Sequence, residues 1–441
     1  MAKSGQPNVL VVFTDQQRWD TCGCYNSPME LTPNLDRMAS RGVLFENAFT
    51  CQPVCAPARA SLQTGLYAKA TGVWRNDLAL RPDQPTLGTW FSNAGYDVGY
   101  VGKWHLACTS VEPVPRELRC GYNGFWEVAD ILEFTSHPYA GHVFDANNRI
   151  IEFKDMYRVD FITDRAIRFM DMERNAPFFL FISYIEPHQQ NDWNKFCGPE
   201  GYEQRYANPW IPQDLRYLPG DWVSQLPGYY GCIRRIDECL GRMLNHLEES
   251  GRLEDTVVIF TSDHGCHFRT RNSEYKRSCH ESCIRIPMVA AGPGFERQRV
   301  ERELVSLIDL PPTLLDSAGI PVPKEFHGRS LLPLARGEAK DWPEEVFLQI
   351  SERTVERCVR TKRWKYSVFA PEKHGWHDPD SKEYVERYLY DLYADPHEMV
   401  NLAGRPGRYR EVADDLMERL KERMTQAGED LPVIHPARHY A

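Results

Sequence analysis

The strongest constraint on the fold is the alternation of short apolar segments with longer amphipathic segments along most of the chain. The segment Phe178 to Ile182 is apolar throughout, which is typical of a strand covered on both faces. The alternation predicts an α/β fold, with a large, mostly parallel sheet flanked by helices. Strands are predicted at residues 8–14, 43–49, 96–101, 177–185, 256–261 and 285–291. Helices are predicted at residues 32–41, 57–63, 85–94, 159–174 and 229–249.

The last hundred or so residues have a different pattern, with short β-type segments separated by tight turns. A terminal amphipathic helix follows them at residues 410–424. This pattern predicts a smaller antiparallel sheet with a packed helix, joined to the main domain through residues 324–342. We therefore predict a catalytic α/β domain at residues 1–340 and an α+β subdomain at residues 341–441. Its strands are predicted at residues 346–350, 358–361, 364–369 and 388–392.

Composition excludes several classes of protein. A formal net charge of −10 argues against a nucleic-acid-binding protein, which is usually basic. The first apolar run, residues 9–13, is too short for a signal sequence or a membrane span, so a cytoplasmic protein without membrane contact is expected. The 13 cysteines lack the paired spacing of a structural zinc site, and we expect reduced, mostly buried thiols.

Polar residues follow four of the predicted strands directly. Asp15, Lys103, His188 and Asp263 each lie where an apolar segment ends. Sites in parallel α/β sheets form at the carboxyl edge of the strands. The four residues therefore predict one site at that edge.

Two of these strand ends carry candidate metal ligands. Asp15 is followed by Gln16, and Asp263 by His264. Two carboxylates, an amide oxygen and an imidazole suit a hard divalent cation. The alternative for each aspartate is a helix cap or a turn residue, which is common after strands.

The other two strand ends carry candidate cationic groups. Lys103 and His105 have the i, i+2 spacing that places side chains on one side of an extended segment, and together they suit a tetrahedral oxyanion. A Lys-x-His pair or a lone His188 is otherwise an ordinary surface or structural feature. Lys276 is a further candidate, and Arg271, Arg277 and His280 compete with it for the same role.

Cys55 precedes a short predicted helix at residues 57–63. It lies in Cys55-Ala56-Pro57-Ala58-Arg59, with Thr64-Gly65 a few residues on. At a helix N-terminus, amide donors favour anionic groups. The alternative is an ordinary free cysteine before a helix that begins with proline.

Together these segments resemble the sulfatase family of the alkaline-phosphatase superfamily. The Cys-x-Pro-x-Arg segment, Gly102-Lys103-Trp104-His105 and Ser262-Asp263-His264-Gly265 occur in the family order, within a resemblance that spans residues 8–404. The resemblance implies that Cys55 is oxidised to formylglycine by a formylglycine-generating or an anaerobic sulfatase-maturating enzyme. One hydroxyl of the aldehyde hydrate would attack sulfur, and the other would collapse to expel sulfate.

The resemblance also implies roles for the remaining residues. Arg59 would steady the hydrate, and His105 would act as the base for sulfate release. Sulfate oxygens would be held by Lys103, His188 and Lys276, and either His188 or Lys276 would protonate the leaving alcohol. The implied metal ligands are Asp15, Gln16, Asp263, His264 and the oxygen of modified Cys55.

The chain departs from the commonest family pattern at several positions. Ala58 stands where many members have Ser, and Leu66 where many have Arg. Gln16 and His264 stand where many have Asp and Asn. Ca²⁺ is the ion that the family implies, but an imidazole ligand makes Mn²⁺ or Mg²⁺ credible.

The predicted function is hydrolysis of a sulfate ester, with a small sulfated sugar as the substrate. Its closest rival is a phosphonate monoester or phosphodiester hydrolase of the same superfamily. Lys103 and His105 favour sulfate, because that branch has neutral hydroxyl residues there. A non-catalytic binding protein, and a thiol hydrolase that uses Cys55 and His105 directly, are further alternatives.

Loops after the strands are expected to build the substrate pocket. Aromatic residues mixed with polar and basic ones suit a sugar, including one that bears a carboxylate. The sequence does not predict an oligomeric state. The candidate substrate-binding residues are His137, Tyr139, Gln190, Trp193, His267, Arg269, Arg271, Trp376 and His377.

Overall fold

A computed structural model describes residues 5–437. Its main feature is an eleven-stranded sheet with the order β11-β2-β10-β9-β1-β8-β3-β4-β6-β5, in which β7 also pairs with β6. The central strands β9, β1, β8, β3 and β4 are mutually parallel. The eleven strands of this sheet are β1 (Asn8–Asp15), β2 (Val43–Phe49), β3 (Asp97–Lys103), β4 (Phe125–Ala129), β5 (Ser136–His137), β6 (Ala140–Phe144), β7 (Ile150–Lys154), β8 (Phe178–Pro187), β9 (Thr256–Ser262), β10 (Met288–Ala291) and β11 (Arg299–Ser306).

A second sheet of five strands lies in the C-terminal region, in the order β12-β13-β14-β15-β16. Its first four strands are antiparallel, and β16 pairs parallel to β15. The α/β fold with a smaller separate sheet is therefore confirmed, whereas the domain boundary at residues 340/341 stays a prediction. The strands are β12 (Glu345–Ile350), β13 (Glu356–Thr361), β14 (Trp364–Phe369), β15 (Glu383–Asp391) and β16 (Val433–His435).

Helices cover both faces of the large sheet and one face of the small one. They are α1 (Pro33–Arg41), α2 (Cys55–Thr64), α3 (Ala68–Thr71), α4 (Leu87–Asn93), α5 (Leu132–Thr135), α6 (Arg158–Met170), α7 (Tyr202–Arg205), α8 (Gln213–Arg216), α9 (Trp222–Glu249), α10 (Glu281–Ile284), α11 (Leu310–Ser317), α12 (Leu332–Arg336) and α13 (Arg408–Gln426).

Burial of both faces explains why the central strands are apolar without interruption. In β1, Val9, Val11 and Phe13 belong to one hydrophobic core, whereas Leu10 and Val12 belong to the core on the opposite face. Each successive side chain of a strand points to the other face, so both sets must be apolar. The polar residues can appear only where a strand leaves the sheet.

Several elements differ from the sequence prediction. The strand expected at residues 285–291 begins only at Met288 and runs antiparallel to its neighbours. Helix α9 begins earlier than expected, at Trp222, and contains Pro227 near its start. The edge strand β11 and the short strands β5 to β7 were not predicted, since their residues are partly exposed and lack a long apolar run. The short strand β4 was not predicted either, although most of its residues are buried.

Two class predictions concern the thiols and the membrane. The structure describes all 13 cysteines, which are free of disulfides, and ten of them are buried. Their burial agrees with the expectation that they pack as small apolar groups, and their reduced state stays a prediction. No helix in the described part of the chain has the length and apolar character that a membrane crossing needs.

Candidate active site

The parallel strands bring the predicted polar residues to one edge of the large sheet. Strands β1 and β3 end at Asp15 and Lys103, β8 leads into His188, and β9 leads into Asp263. All four side chains are buried. The structure brings Asp15 close to both Lys103 and Asp263 at this edge.

Cys55 lies at the centre of this cluster, as the first residue of α2. Its Sγ atom lies 3.4 Å from Asp15 Oδ1, 3.4 Å from His264 Nε2 and 2.7 Å from Lys276 Nζ. Burial first, and then the nearby Asp15 carboxylate, raise the pKa of the Cys55 thiol to about 12. An unmodified Cys55 is therefore a poor source of the thiolate that direct attack needs.

Four side chains form a candidate metal centre. Ligand atoms of Asp15, Cys55, Asp263 and His264 all lie within 4.8 Å of one another. His264 Nδ1 donates to the Gly265 carbonyl oxygen at 2.9 Å, which leaves Nε2 with its lone pair directed at the cluster. A neutral imidazole held in this way is a usual metal ligand.

The charges at this centre fit a bound cation. Burial and the charge of Asp15 raise the pKa of Asp263, while Lys103, His188 and Arg59 outweigh the effect of burial and lower the pKa of Asp15. Asp263 Oδ2 is buried and lies 3.6 Å from the Arg59 guanidinium, but it has no hydrogen-bond partner among the described residues. Two adjacent buried carboxylates with an oxygen that accepts no hydrogen bond are unfavourable, so this donor set suits a divalent cation.

Gln16 contributes to the centre through its backbone as well as its position. It has a positive φ of 71°, and its N–H donates to Asp263 Oδ1 at 2.9 Å. Its side-chain nitrogen contacts Cys266 Sγ at 3.4 Å. Gln16 also lines the cavity described below, and its predicted role as a metal ligand stays a prediction.

Arg59 supports the carboxylate side of the centre. Its guanidinium donates to Asp15 Oδ2 at 3.0 Å, to Ser183 Oγ at 2.6 Å and to the Lys103 carbonyl oxygen at 3.2 Å. It also lies over the Phe13 ring. In this structure Arg59 therefore orients Asp15, and its predicted contact with a modified Cys55 stays a prediction.

The predicted anion-binding groups surround the same point. Lys276 Nζ donates to His188 Nε2 at 3.2 Å, and His188 Nδ1 donates to the Gln189 carbonyl oxygen at 2.7 Å. Burial and Lys276 lower the pKa of His188 to about 4. His188 is thus a neutral acceptor near pH 7, and the ammonium of Lys276 carries the proton.

His105 reaches the cavity by a different geometry from the one predicted. Its φ is +59°, so the segment from Lys103 to His105 is not fully extended, and the i, i+2 argument was wrong in detail. The turn follows because the His105 N–H donates to the Asp130 carbonyl oxygen at 2.7 Å. His105 nevertheless lines the cavity together with Cys55.

An open cavity of about 360 Å³ leads from the surface to Cys55. Of the predicted substrate-binding residues, Arg269 and Trp376 line it. His137 and Trp193 stack on each other with ring centroids 4.7 Å apart, both half-exposed, close to the cavity residue Asn191. A larger groove of about 940 Å³ lies elsewhere, between the two sheets, and contains none of the clustered site residues.

The other predicted substrate-binding residues make contacts outside the cavity. Gln190 bonds to the Glu133 carbonyl oxygen and to Arg158, and His267 is buried against the Lys276 carbonyl oxygen. Arg271 donates to the carbonyl oxygens of His397 and Glu398. The His377 ring lies tilted against the His374 ring. The Tyr139 hydroxyl oxygen accepts a hydrogen bond from the Glu200 N–H at 2.7 Å.

Sequence reasoning missed a hydrogen-bonded network that joins the small sheet to Cys55. Asn76 Oδ1 accepts from the Ala56 N–H at 3.1 Å, and the Asn76 N–H donates to Glu352 Oε1 at 2.7 Å. The other oxygen of Glu352 pairs with Arg277, the residue after Lys276. No local pattern marks Glu352, because its partners are remote in sequence.

It also missed Glu133, which is buried in the cavity wall. Glu133 Oε1 accepts from Lys103 Nζ at 3.1 Å, while Lys103 also donates to Asp15 Oδ2 at 3.0 Å. The only local signal was a polar residue shortly after the end of β4, a strand that the sequence did not predict.

Comparison with known proteins gives a consistent family relationship. A family model described as Sulfatase matches residues 7–320, and one described as "N-sulphoglucosamine sulphohydrolase, C-terminal" matches residues 273–426. The chain is 30% identical to the uncharacterized sulfatase YidJ of Escherichia coli over 90% of this chain and 83% of that protein. It is 25% identical to an N-acetylglucosamine-6-O-sulfatase of Bacteroides thetaiotaomicron, over 97% and 88%. The crystal structure of a putative sulfatase from Bacteroides fragilis aligns with a TM-score of 0.82 at 24% identity and covers 98% of each chain.

Proposed function

Because the chain belongs to the sulfatase family and is a sulfatase, we propose that it removes sulfate from a carbohydrate, with Cys55 as the position of the nucleophile. One observation carries the proposal. The Asp15 carboxylate, the His264 imidazole and the Lys276 ammonium group all contact Cys55 Sγ. This combination supports attack on an anionic ester next to a cation.

We propose that Cys55 acts after conversion to formylglycine by a formylglycine-generating or an anaerobic sulfatase-maturating enzyme. The modification supplies an aldehyde whose hydrate is the nucleophile. The raised pKa of the unmodified thiol supports this proposal over direct attack by a cysteine thiolate. Cys55 also lies in the first turn of α2, where backbone amide donors favour a developing negative charge.

A divalent cation would be held by Asp15, Gln16, Asp263 and His264, with Ca²⁺ proposed and Mn²⁺ or Mg²⁺ as alternatives. Such an ion lowers the pKa of a bound hydroxyl group and neutralises developing negative charge. Two observations support this ligand set. Asp263 Oδ2 accepts no hydrogen bond among the described residues, and the lone pair of His264 Nε2 is directed at the cluster. The hard carboxylate oxygens agree with Ca²⁺, and the imidazole keeps Mn²⁺ in consideration.

The remaining residues are proposed to bind sulfate and move protons. Lys103, His188 and Lys276 would hold the sulfate oxygens, and His105 would accept the proton needed for sulfate release. Lys276 is the better donor to the leaving alcohol, because it is the charged partner in its hydrogen bond with His188. A sugar alkoxide is a poor leaving group without such a proton.

The carbohydrate part of the proposal rests on the cavity mouth and on a relative. The Bacteroides thetaiotaomicron relative is named for action on sulfated N-acetylglucosamine. The cavity mouth combines Trp376 with amide and carboxylate groups of Asn76, Asp77 and Asn191. Aromatic and hydrogen-bonding side chains in one open cavity suit a sugar ring.

The test is mass spectrometry of the peptide that contains Cys55, combined with an assay on sulfated sugars. Purified enzyme made together with a maturation enzyme should lose about 18 Da at Cys55, the change from thiol to aldehyde. Cys55→Ala is the matched control and should be inactive. Full activity with an unmodified Cys55, or faster turnover of phenyl phosphonates than of sulfates, would contradict the proposal.

A further inference from the structure

Glu133 has an unexplained free oxygen in the wall of the active-site cavity. Glu133 lies on α5, shortly after β4, and is only 6% exposed. Oε1 accepts from Lys103 Nζ at 3.1 Å. Oε2 is buried and has no hydrogen-bond partner in the described part of the chain. The side chain lines the cavity that leads to Cys55.

A carboxylate in this place is unfavourable unless something compensates for it. Burial opposes its ionisation, but Lys103, followed by His188 and His105, keeps the pKa of Glu133 at about 2. Glu133 is therefore negative in a cavity that the proposed function gives to an anionic ester. Lys103 offsets only part of this charge, because it is shared with Asp15. A buried acceptor without a donor is unfavourable, so a ligand that brings a donor would relieve this penalty.

We propose that Glu133 is a specificity-determining residue, whose Oε2 accepts a hydrogen bond from an O–H or N–H group of the substrate next to the sulfate ester. This inference rests on the proposed sulfatase function. Lys103 is proposed to hold a sulfate oxygen, and Glu133 is bonded to that same ammonium. A substrate group that donates to Oε2 would therefore lie near the sulfate, and on a sugar the nearest such group is on the neighbouring carbon.

The substrate class follows from this geometry. The preferred ester carries a free hydroxyl or an N–H group beside the sulfated carbon. A carboxylate or a second sulfate ester at that position would face the negative charge of Glu133 and be disfavoured. The inference thus narrows a general sulfated sugar to one with a vicinal hydrogen-bond donor.

A positioning role alone would give a different result. In that case Glu133 would only orient Lys103 through Oε1, and its loss would weaken the turnover of every sulfate ester alike. The two roles separate when two substrates differ only in the vicinal donor. Nitrocatechol sulfate, assayed at an acidic pH that keeps its phenolic hydroxyl protonated, carries a donor ortho to the sulfate, and the matched 3-nitrophenyl sulfate lacks only that hydroxyl.

The experiment measures kcat/KM for both esters with the mature wild-type enzyme and with Glu133→Gln. We expect Glu133→Gln to lower kcat/KM by about 10- to 100-fold for nitrocatechol sulfate and by much less for the matched nitrophenyl sulfate. Equal losses on the two esters would overturn the proposal. A mature wild-type enzyme that turns over no sulfate ester, sulfated sugars included, would instead overturn the proposed function on which the inference rests.

Two further variants guard against loss of folding. Glu127→Gln removes another buried carboxylate, which pairs with Arg165 outside the cavity, and should leave the ratio of the two kcat/KM values unchanged. Glu133→Asp keeps a negative charge for Lys103 but withdraws the acceptor by one methylene. It should lower the ratio in the same direction as Glu133→Gln, and an unchanged ratio in Glu133→Asp would contradict the proposal.

Discussion

Asp263 is the residue whose environment depends most on a cation. We expect Asp263→Asn to abolish the stabilisation that Ca²⁺, Mn²⁺ or Mg²⁺ gives to the wild-type protein. A ligand at a hundred times its Kd raises the free energy of unfolding by about 2.7 kcal/mol. Without metal, the variant should be as stable as the wild type or more so, because it relieves repulsion with Asp15. Thermal unfolding with and without each ion measures both effects, and the ion with the largest shift identifies the metal.

Asp237→Asn is the matched control for that prediction. Asp237 is also a buried aspartate, but it accepts N–H bonds from Asn34 and Leu35 at the start of α1, away from Cys55. Its substitution should lower stability by about 1 kcal/mol whether or not metal is present. A full metal response in Asp263→Asn, or a lost response in Asp237→Asn, would contradict the assignment of the metal centre.

The sequence predicted the residues at the centre of the site better than the residues around it. Asp15, Lys103 and Asp263 were predictable because a polar residue that directly follows a buried parallel strand lies at the carboxyl edge of the sheet, where sites form. Arg271 was not, because an arginine in a loop can turn toward any nearby carbonyl group, and here it caps those of the C-terminal region. Glu133 lacked a signal, because its importance arises from a lysine that is distant in sequence.

Among the elements, α2 is the one that positions the nucleophile. It ends at Gly65, which has φ of +72°, and a Cβ atom there would lie 2.6 Å from the Phe326 ring. Gly65→Ala should therefore lower the free energy of unfolding by more than the roughly 1 kcal/mol that a left-handed alanine costs. Chemical denaturation measures the difference.

Gly72→Ala provides the comparison for Gly65→Ala. Gly72 ends α3 with φ of +83°, but nothing lies within 4 Å of a Cβ atom there. It should show only the backbone cost of about 1 kcal/mol. If the two variants lose equal stability, the close packing of Phe326 against the end of α2 is not important for the fold.

Helices and strands were predictable from the sequence where a segment had a clear helical or strand pattern of apolar residues. Pro57 and the following residues indicated α2, although the helix begins two residues earlier, since Cys55 and Ala56 fill its first turn. Strands β5 to β7 were not predictable, because their short, partly exposed segments contain few consecutive apolar residues. Pairing with neighbouring strands, rather than local propensity, determines such edges.

At the scale of the whole molecule, buried charges hold the two sheets together around the Lys276 loop. Lys365 on β14 lies 2.9 Å from Glu281 and also pairs with Glu398. Arg360 on β13 completes the cluster with Glu281 at 3.2 Å. The small sheet therefore supports the segment that leads from Lys276 into α10.

His280 makes this interface sensitive to acid. Its Nδ1 contacts Ser278 Oγ at 2.8 Å, and its Nε2 contacts the Tyr390 hydroxyl at 3.2 Å. Burial first, then the charges of Arg271 and Lys365, lower the pKa of His280 well below its usual 6.5. The unfolded chain therefore binds this proton more readily than the folded one. Its stabilising contribution is complete above pH 6.5 and declines as the pH falls below that value.

We expect His280→Gln to reduce the loss of stability between pH 7.5 and pH 5.5 by about 1.4 kcal/mol, the linkage of one such proton over this range. The variant can be less stable than the wild type at pH 7.5, because a glutamine cannot reproduce both contacts. Urea denaturation at the two pH values separates the two effects. The same substitution at the exposed His435 is the control and should leave the pH dependence as in the wild type. An unchanged pH dependence in His280→Gln would show that the proton enters elsewhere and that this interface does not respond to acid.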